Sequence, residues 1–477
     1  MSEASQNANR RATVVGAGPN GLSAAIVLAQ AGLRVDVFEA EEIAGGAART
    51  LELTLPGFRH DFGSAVHPLA AGSPFFSTLP LANHGLEWIH SPSALAHPLD
   101  DGTAVLLDRD FAKIQDTLGR DARAWRRLME PFARNWKALA LEVLAPIHFL
   151  TRHPFLLARF GLAGLPPANT VANFCFRDGR AKALFAGLAA HSFLSLDEPL
   201  SAAFGTLLGA AAHAVGWPIP RGGAQAITNA LIAHLESLGG RVHTSSKIEK
   251  LSDAPDLTLC DGTPRQLLRL SDAKLSDAFR SKLERFRYGM AVFKVDYALS
   301  NPIPWKAPDC LRAATVHLGG TAEEITASES AVRRGDHAER PFVLLAQPSL
   351  FDPSRAPAGK HTAWAYCHVP HGSTVDMVAR IENQIERFAP GFRDCVLARH
   401  VLSPAALESM DANLIGGDIN GGAMDAGQFL FRPTARHYAT TSRKLYLCSS
   451  STPPGGGVHG MCGYHAAKLA LSRMRNG

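Results

Sequence analysis

Apolar positions along the chain fall into three kinds of pattern, and their order suggests its organisation. Near the start, Ala12-Thr13-Val14-Val15 forms a short β-rich block. A glycine turn follows, and then Leu22 to Ala31, a run of Ala, Leu, Ile and Val that reads as a buried helix stopped by Gly32. Val35-Asp36-Val37-Phe38 alternates as a second strand, which completes a βαβ unit. From about Leu79 to Val215 the spacing is mostly helical, clearest over Phe111 to Leu118, Ala122 to Ala145 and Ala181 to Ala214. Inside that stretch, Leu144 to Pro167 interrupts the period with Pro146, Pro154, Pro166 and Pro167. It mixes Phe149, Leu150, Phe155, Leu156, Leu157, Phe160 and Leu162 with Arg152 and Arg159. From Arg221 the α/β pattern returns: a helix over Ala224 to Leu238, ended by Gly239 and Gly240, and a strand from Arg241 to Thr244. After Tyr288 the pattern is of strands, at Ala291 to Leu299, Thr315 to Leu318, Phe342 to Gln347 and His361 to Val369, with one amphipathic helix over Thr374 to Phe388. The tail reads as a strand at Lys444 to Cys448, a glycine-rich loop at Pro453 to Gly463 and a helix from Tyr464 to Arg473.

The βαβ character thus sits at the start, the middle and the end. A chain of 477 residues is too long for one hydrophobic core. The expected fold is α/β. A discontinuous Rossmann-type domain is built from residues 1–78, 215–287 and 436–477. A helical insertion occupies 79–214, and a mixed or antiparallel-sheet substrate domain occupies 288–435. Charged residues make up 19%, which argues against a long disordered segment. The net charge of +5 is spread out, with no Lys or Arg run of the kind that binds nucleic acid. Such a balance is compatible with peripheral contact to an anionic membrane surface. Seven cysteines at irregular spacing, without a C-x-x-C pair, argue against a disulfide framework and against a metal site. A reducing, cytoplasmic setting is the expectation, since Met1 to Arg11 is polar and no run of about 18 apolar residues occurs.

Candidate chemistry begins in the first turn, Gly16-Ala17-Gly18-Pro19-Asn20-Gly21. This is G-x-G-x-x-G directly after a strand and directly before a helix. Gly16 allows the turn, Gly18 lets backbone N–H groups reach a pyrophosphate, and Gly21 lets helix and strand approach. The helix N-terminus offers free N–H groups and partial positive charge to the anion. Glu39, at the end of the second strand, is placed to accept from ribose hydroxyls and would repel a 2′-phosphate. A second glycine pair with an arginine, Gly45-Gly46-Ala47-Ala48-Arg49-Thr50, resembles a motif of the two-dinucleotide-binding flavoproteins. The resemblance implies FAD rather than NAD, with the arginine along the cofactor. The tail loop Pro453-Pro454-Gly455-Gly456-Gly457-Val458-His459-Gly460, held between a strand and a helix, can put N–H groups against an isoalloxazine and ribitol.

With these segments the chain resembles the phytoene desaturase-like, carotenoid- and retinoid-related FAD oxidoreductases. It is most similar to the branch named for pyridine nucleotide-disulfide oxidoreductase domain-containing protein 2. The matching segments are Val14 to Thr50, Pro220 to Gly223, Tyr288 to Leu299, Gly416 to Gly422 and Leu445 to Ala467. The resemblance implies FAD held by Gly16, Gly18, Pro19, Asn20, Gly21, Glu39, Gly46 and Arg49. It further implies Ser64 and Ala65 near the flavin, Ile248 holding the adenine through its backbone, and Gly457, Val458 and Met461 near the isoalloxazine. Ser449 to Thr452 lacks the acidic residue that many relatives in the wider superfamily use for ribitol.

Disulfide reduction is disfavoured, because no two cysteines lie close and no second dinucleotide fingerprint is present. The expected chemistry is hydride transfer between flavin and a C–C bond of a small apolar or polyene substrate, with oxygen, a quinone or a nicotinamide as the partner in electron transfer. Leu144 to Leu165 is a candidate mouth of an apolar tunnel. Lys294 sits in a setting similar to the strand of flavin amine oxidases whose lysine holds a water on the flavin, one position out of register. His67, and His459 in the tail loop, are further candidates for proton transfer. Two other readings stay open: an amine oxidase-like enzyme, and a non-redox protein in which FAD supports isomerisation or structure.

Overall fold

The computed structural model describes residues 9–147, 151–251, 255–271 and 275–475. Residues 1–8 of the polar start, and Phe149 and Leu150 of the aromatic-rich segment, lie outside them. Strand β1 (Arg11–Val15) is β-branched at three of its five positions and buries Ala12 and Val14. Helix α1 (Pro19–Gln30) starts with Gly18 at its N-cap and Pro19 in the first turn, where a missing N–H costs nothing. It is buried from Asn20 to Ala29, as an almost uncharged helix must be. Strand β2 (Arg34–Phe38) runs parallel to β1 with Val14 opposite Val37.

The first departure from the sequence reading comes next. Residues 79–214 are not all helical: β3 (Leu95–Pro98) and β4 (Ala104–Leu107) form a hairpin. Both strands are buried on both faces, so they show no alternation, and short apolar runs without a period cannot be told from helix. The helix expected over Ala122 to Ala145 is two, α2 (Ala122–Arg134) and α3 (Trp136–Val143). Pro131 inside α2 has no N–H to give to the carbonyl of Arg127, which instead accepts from Arg159 at 3.2 Å. Four helices follow: α4 (Pro154–Gly164), α5 (Ala168–Cys175), α6 (Gly179–Ala190) and α7 (Ser201–Ala214). Their small residues permit close packing. Gly164 meets Ala203, and Gly205 meets the Phe185 ring.

The middle segment supplies α8 (Gln225–Ser237), β5 (Arg241–His243) and β6 (Leu257–Cys260). The next domain contains β7 (Ala291–Leu299), β8 (Thr315–Leu318), α9 (Ala322–Arg333), β9 (Val343–Ala346), β10 (His361–Val369), α10 (Val378–Phe388) and β11 (Val396–Leu402). Of these, α9 and β11 were not legible as such. Thr321 and Glu324 form a reciprocal capping box that starts α9. The tail adds β12 (Leu445–Leu447) and α11 (Met461–Arg475).

Two main sheets result. One is five-stranded and wholly parallel, in the order β12-β6-β1-β2-β5, with α1 in close contact with α8 and α11. The other is seven-stranded, in the order β11-β7-β10-β9-β8-β3-β4. It is antiparallel except where β8 meets β3. The dinucleotide sheet is assembled from the start, middle and tail of the chain, and the mixed sheet borrows its last two strands from the helical insertion.

Candidate active site

The fingerprint turn is packed too tightly for any side chain. A Cβ on Gly21 would lie 2.1 Å from the carbonyl oxygen of Gly16, and Gly16 itself has φ +99°. Gly18 ends the turn without a side-chain cap, so the first-turn N–H groups of α1 face outward. One of them is taken: the N–H of Gly21 donates to Asp261 Oδ2 at 2.8 Å. Asp261 follows β6 and is buried. Burial lifts its carboxyl well above the usual range, and Asp411 and Glu39 nearby push the same way. Burial also raises Asp411. Glu39 Oε2 accepts from the N–H of Ala17 at 2.8 Å, and Oε1 from the N–H of Glu41 at 3.1 Å.

A single cavity, about 1890 Å³ with its open mouth included, begins at this turn and runs between the two sheets toward α6 and α7. Of the residues singled out in the sequence, Gly18, Pro19, Asn20, Gly46, Ser64, Ala65, His67, Lys294, Gly457 and Val458 line it. Gly16, Gly21, Glu39, Arg49, Ile248 and Met461 do not. Gly16, Gly21 and Glu39 shape the turn from behind. Arg49 differs from its expected place along the cofactor: its Nε donates to Gly46 O and an Nη to Met410 O, both at 2.7 Å, and its guanidinium lies over Phe62. It fixes the cradle by bracing the Gly46 loop. Ile248 follows β5 and packs against the cluster around Leu251 and Cys260. Met461 heads α11, and its N–H donates to His459 Nδ1 at 3.0 Å.

The residues present fit FAD. The glycine turn can admit a diphosphate, the side-chain oxygen of Asn20 is buried without a partner, and the cavity continues past Ser64 and Gly457 far beyond a dinucleotide's phosphates. Gly18, Pro19 and Asn20 would hold the pyrophosphate, and Gly46, Ser64, Ala65, Gly457 and Val458 the flavin end, while Glu39 stands outside the lining with both carboxylate oxygens on backbone N–H groups.

Lys294 is no surface lysine. It is buried on β7 with Nζ 2.5 and 2.6 Å from the two oxygens of Asp296, two residues along the same face, and 5.5 Å from the Trp364 ring centroid. Burial lowers the Lys294 ammonium and raises the Asp296 carboxyl, and each opposes the other's shift. His60 Nδ1 stands 3.7 Å from Asp296, and His60 is held down to about 3 by burial, Lys294 and Arg355. Beside it, Asp61 pairs with Arg355 at 2.7 Å. Burial pushes that carboxyl up, but Arg355 and the N–H of Ala224 outweigh it. The whole assembly is a charge-balanced buried network under the cavity. His67, held down to about 4 by burial, is neutral at pH 7 with Nε2 unpartnered. His459 is buried, outside the cavity lining, and bonded to the start of α11.

Sequence reasoning missed Asp261, Asp411, His60, Asp296 and the stacked pair Trp364–Tyr366, whose centroids are 5.5 Å apart on the cavity wall. Asp261 carried a signal, as the first polar residue after a short apolar run. The others become neighbours only through sheet pairing.

Residues 14–77 match the model of the NAD(P)-binding Rossmann-like domain. Over 98% of the chain and 94% of the relative, the sequence is 28% identical to rat pyridine nucleotide-disulfide oxidoreductase domain-containing protein 2. It is 24% identical to the lycopene-forming phytoene desaturase of Pantoea ananas, over 96% of the chain and 98% of the relative. In fold it is similar to an oxidoreductase from Methanosarcina mazei, with TM-score 0.65 at 18% identity, covering 98% and 100% of the two chains. Fold and site together define an FAD-dependent oxidoreductase. Within that class the chain is similar along most of its length to the phytoene desaturases and to the branch of pyridine nucleotide-disulfide oxidoreductase domain-containing protein 2. All seven cysteines are free thiols, so the disulfide in that branch's name has no counterpart in the chain's own residues.

Proposed function

We propose that this enzyme transfers hydride between its flavin and a C–C bond of an apolar or polyene substrate. The carrying observation is the continuity of the cavity. It leads from the dinucleotide turn straight onto a wall of Phe62, Phe193, Phe204, Leu208, Val292 and Leu344. FAD, when bound there, supplies a two-electron hydride carrier. The chain's residues bind the apolar substrate, exclude water and handle the remaining proton. His67 is neutral, unpartnered and on the cavity wall, which is the state needed to accept a proton leaving carbon. The relatives named as desaturases support this reading at low identity. The direction of transfer follows the electron partner: oxygen or a quinone for desaturation, a nicotinamide for saturation.

An amine oxidase-like reading draws on the Trp364–Tyr366 pair, which could face a substrate ammonium. The Lys294 cation over the same Trp364 ring opposes it. A purely structural role for FAD is opposed by a cavity open to substrate beside the flavin end of the site, and an isomerase would release a product of unchanged hydrogen count.

We further propose that α4 touches a lipid surface, since Phe155 and Leu162 stand 91% and 81% exposed beside Arg152 and Arg159. No described residue of Leu144 to Leu165 lines the cavity, so this segment is not the tunnel mouth that its sequence suggested. Among the described residues no helix is long and apolar enough to cross a membrane. The deciding experiment is anaerobic titration of the FAD-loaded protein with polyenes and lipids. Bleaching of the flavin, with a product lighter by two hydrogens, is the expected result. A screen in which only NADH or NADPH bleaches the flavin points to saturation, and one in which no C–C donor or acceptor turns over removes the reading.

A further inference from the structure

The cavity wall carries more hydrogen-bonding groups than a hydrocarbon can use. Thr315 and His317 stand two residues apart on β8, so they share one face of the sheet. Trp364 lies on the cavity wall from β10. Thr315 Oγ1, Trp364 Nε1 and His67 Nε2, all on residues that line the cavity, are buried without a hydrogen-bond partner. The equally unpartnered His317 Nδ1 lies outside the lining, against Gly187 of α6. Buried donors and acceptors are normally satisfied, and several orphans around one cavity point to what enters it.

The centre of this group is a histidine pair. His191 caps the C-terminal end of α6 and lines the cavity. Its Nε2 lies 3.1 Å from His317 Nε2. Two ring nitrogens at that distance require one donor and one acceptor, so His191 presents its Nδ1 as the complement of whichever role its Nε2 takes. Trp217 fixes both rings edge-on, with centroids 5.8 Å from His191 and 6.0 Å from His317. The backbone of His67 is tied to the residue after Trp217, its main-chain N–H donating to Pro218 O at 2.9 Å. Burial holds His191 down to about 3 and His317 well below its usual value, so the corner is uncharged. Behind the pair, the buried Glu329 and His368 are bonded to each other at 2.6 Å.

We propose that the substrate is a lipid carrying one neutral oxygen function, a hydroxyl or a carbonyl, and that His191, held by His317 behind it, recognises that oxygen in the cavity. This rests on the apolar-substrate reading above and narrows it. A bare hydrocarbon leaves the donors unmet, and a carboxylate finds no free cation there to receive its charge.

The test uses the FAD-loaded full chain and three probes of equal length: a conjugated isoprenoid hydrocarbon, the matching primary alcohol and the matching carboxylate. Binding is read by quenching of tryptophan fluorescence, since Trp217 and Trp364 line the cavity, and so needs no turnover. The alcohol should bind at least about tenfold tighter than the other two, roughly one buried hydrogen bond's discrimination. His191→Leu should erase that preference while leaving hydrocarbon affinity intact, and His191→Gln should keep part of it. Equal affinity for alcohol and hydrocarbon, tightest binding of the carboxylate, or a preference that survives in a folded His191→Leu protein overturns the proposal. Alcohol preference without any flavin bleaching keeps the oxygen subsite and removes the C–C redox reading. Bleaching without preference does the reverse. No binding of any probe by the folded, loaded protein overturns both.

Discussion

At the scale of single residues, the least expected feature is the acidity of a site built for a diphosphate. Asp261 and Asp411 line the cavity, and burial raises both carboxyls. A raised carboxyl in the folded state is favourable when protonated. Its contribution to stability is full below the ordinary value of about 3.9 and is lost as pH rises through the raised one. A bound diphosphate adds negative charge beside these groups and favours the protonated forms further, so FAD uptake should draw in protons. The affinity for FAD should therefore weaken toward alkaline pH, by at most about tenfold per pH unit for each proton taken up. Asp261→Asn should flatten that dependence and tighten binding on the alkaline side. Titrating apoprotein with FAD across the pH range checks this, and a wild-type affinity independent of pH would refute it. The Lys294–Asp296 pair makes a second case. Lys294→Met leaves a buried carboxylate without its partner and should cost about 3–5 kcal/mol. Lys294→Met combined with Asp296→Leu should recover most of that loss in denaturant melts, because two matched apolar groups need no partner. If the double variant restores stability but flavin reoxidation stays slow, the pair acts in the chemistry as well as in the fold.

At the scale of elements, α4 is the piece whose surface disagrees with its surroundings. It packs on α7 through Gly164 and Ala203, while Phe155 and Leu162, seven residues apart, share an outward face. Exposed aromatics of this kind beside arginines suit the boundary of an anionic bilayer. Phe155→Asp with Leu162→Asp should abolish sedimentation with anionic vesicles and change the melting temperature little, since neither side chain is buried. Retained sedimentation would detach α4 from any membrane role. The exposure of those residues could not be read from the sequence, where the same apolar spacing suits a core helix equally well. Elements were legible where a period or a stop signal existed: α1 between Gly18 and Gly32, α8 before Gly239, and the alternating or long strands β7 and β10. They were illegible where burial erased the period, as in β3 and β4, or where a strand was short, as in β6. The site follows the same rule. Its glycine cradle is local in sequence and was read directly. Asp296 beside His60, and His191 beside His317, are separated by more than a hundred residues and meet only after the sheets form.

At the scale of the whole molecule, the dinucleotide sheet is closed by its own last segment. The tail strand β12 pairs with β6, which pairs with β1, and α11 packs along α1 so closely that a Cβ on Gly463 would strike the Asn20 carbonyl. Gly457 and Val458, just before α11, line the same cavity as Gly18 and Gly46. One cofactor would thus touch the start and the end of the chain at once. A ligand that binds only the closed arrangement stabilises it by about 2.7 kcal/mol at a hundred times its dissociation constant. That stabilisation should concentrate where the closure is made. Hydrogen exchange should therefore slow most in β12, in the Pro453 to Gly460 loop and in α11 when FAD is added to apoprotein, and little in β11 at the remote edge of the other sheet. Uniform protection would mean that FAD binds a chain already closed. Protection confined to the glycine turn would mean that the tail does not contact the cofactor, and that the substrate cavity is shaped without it.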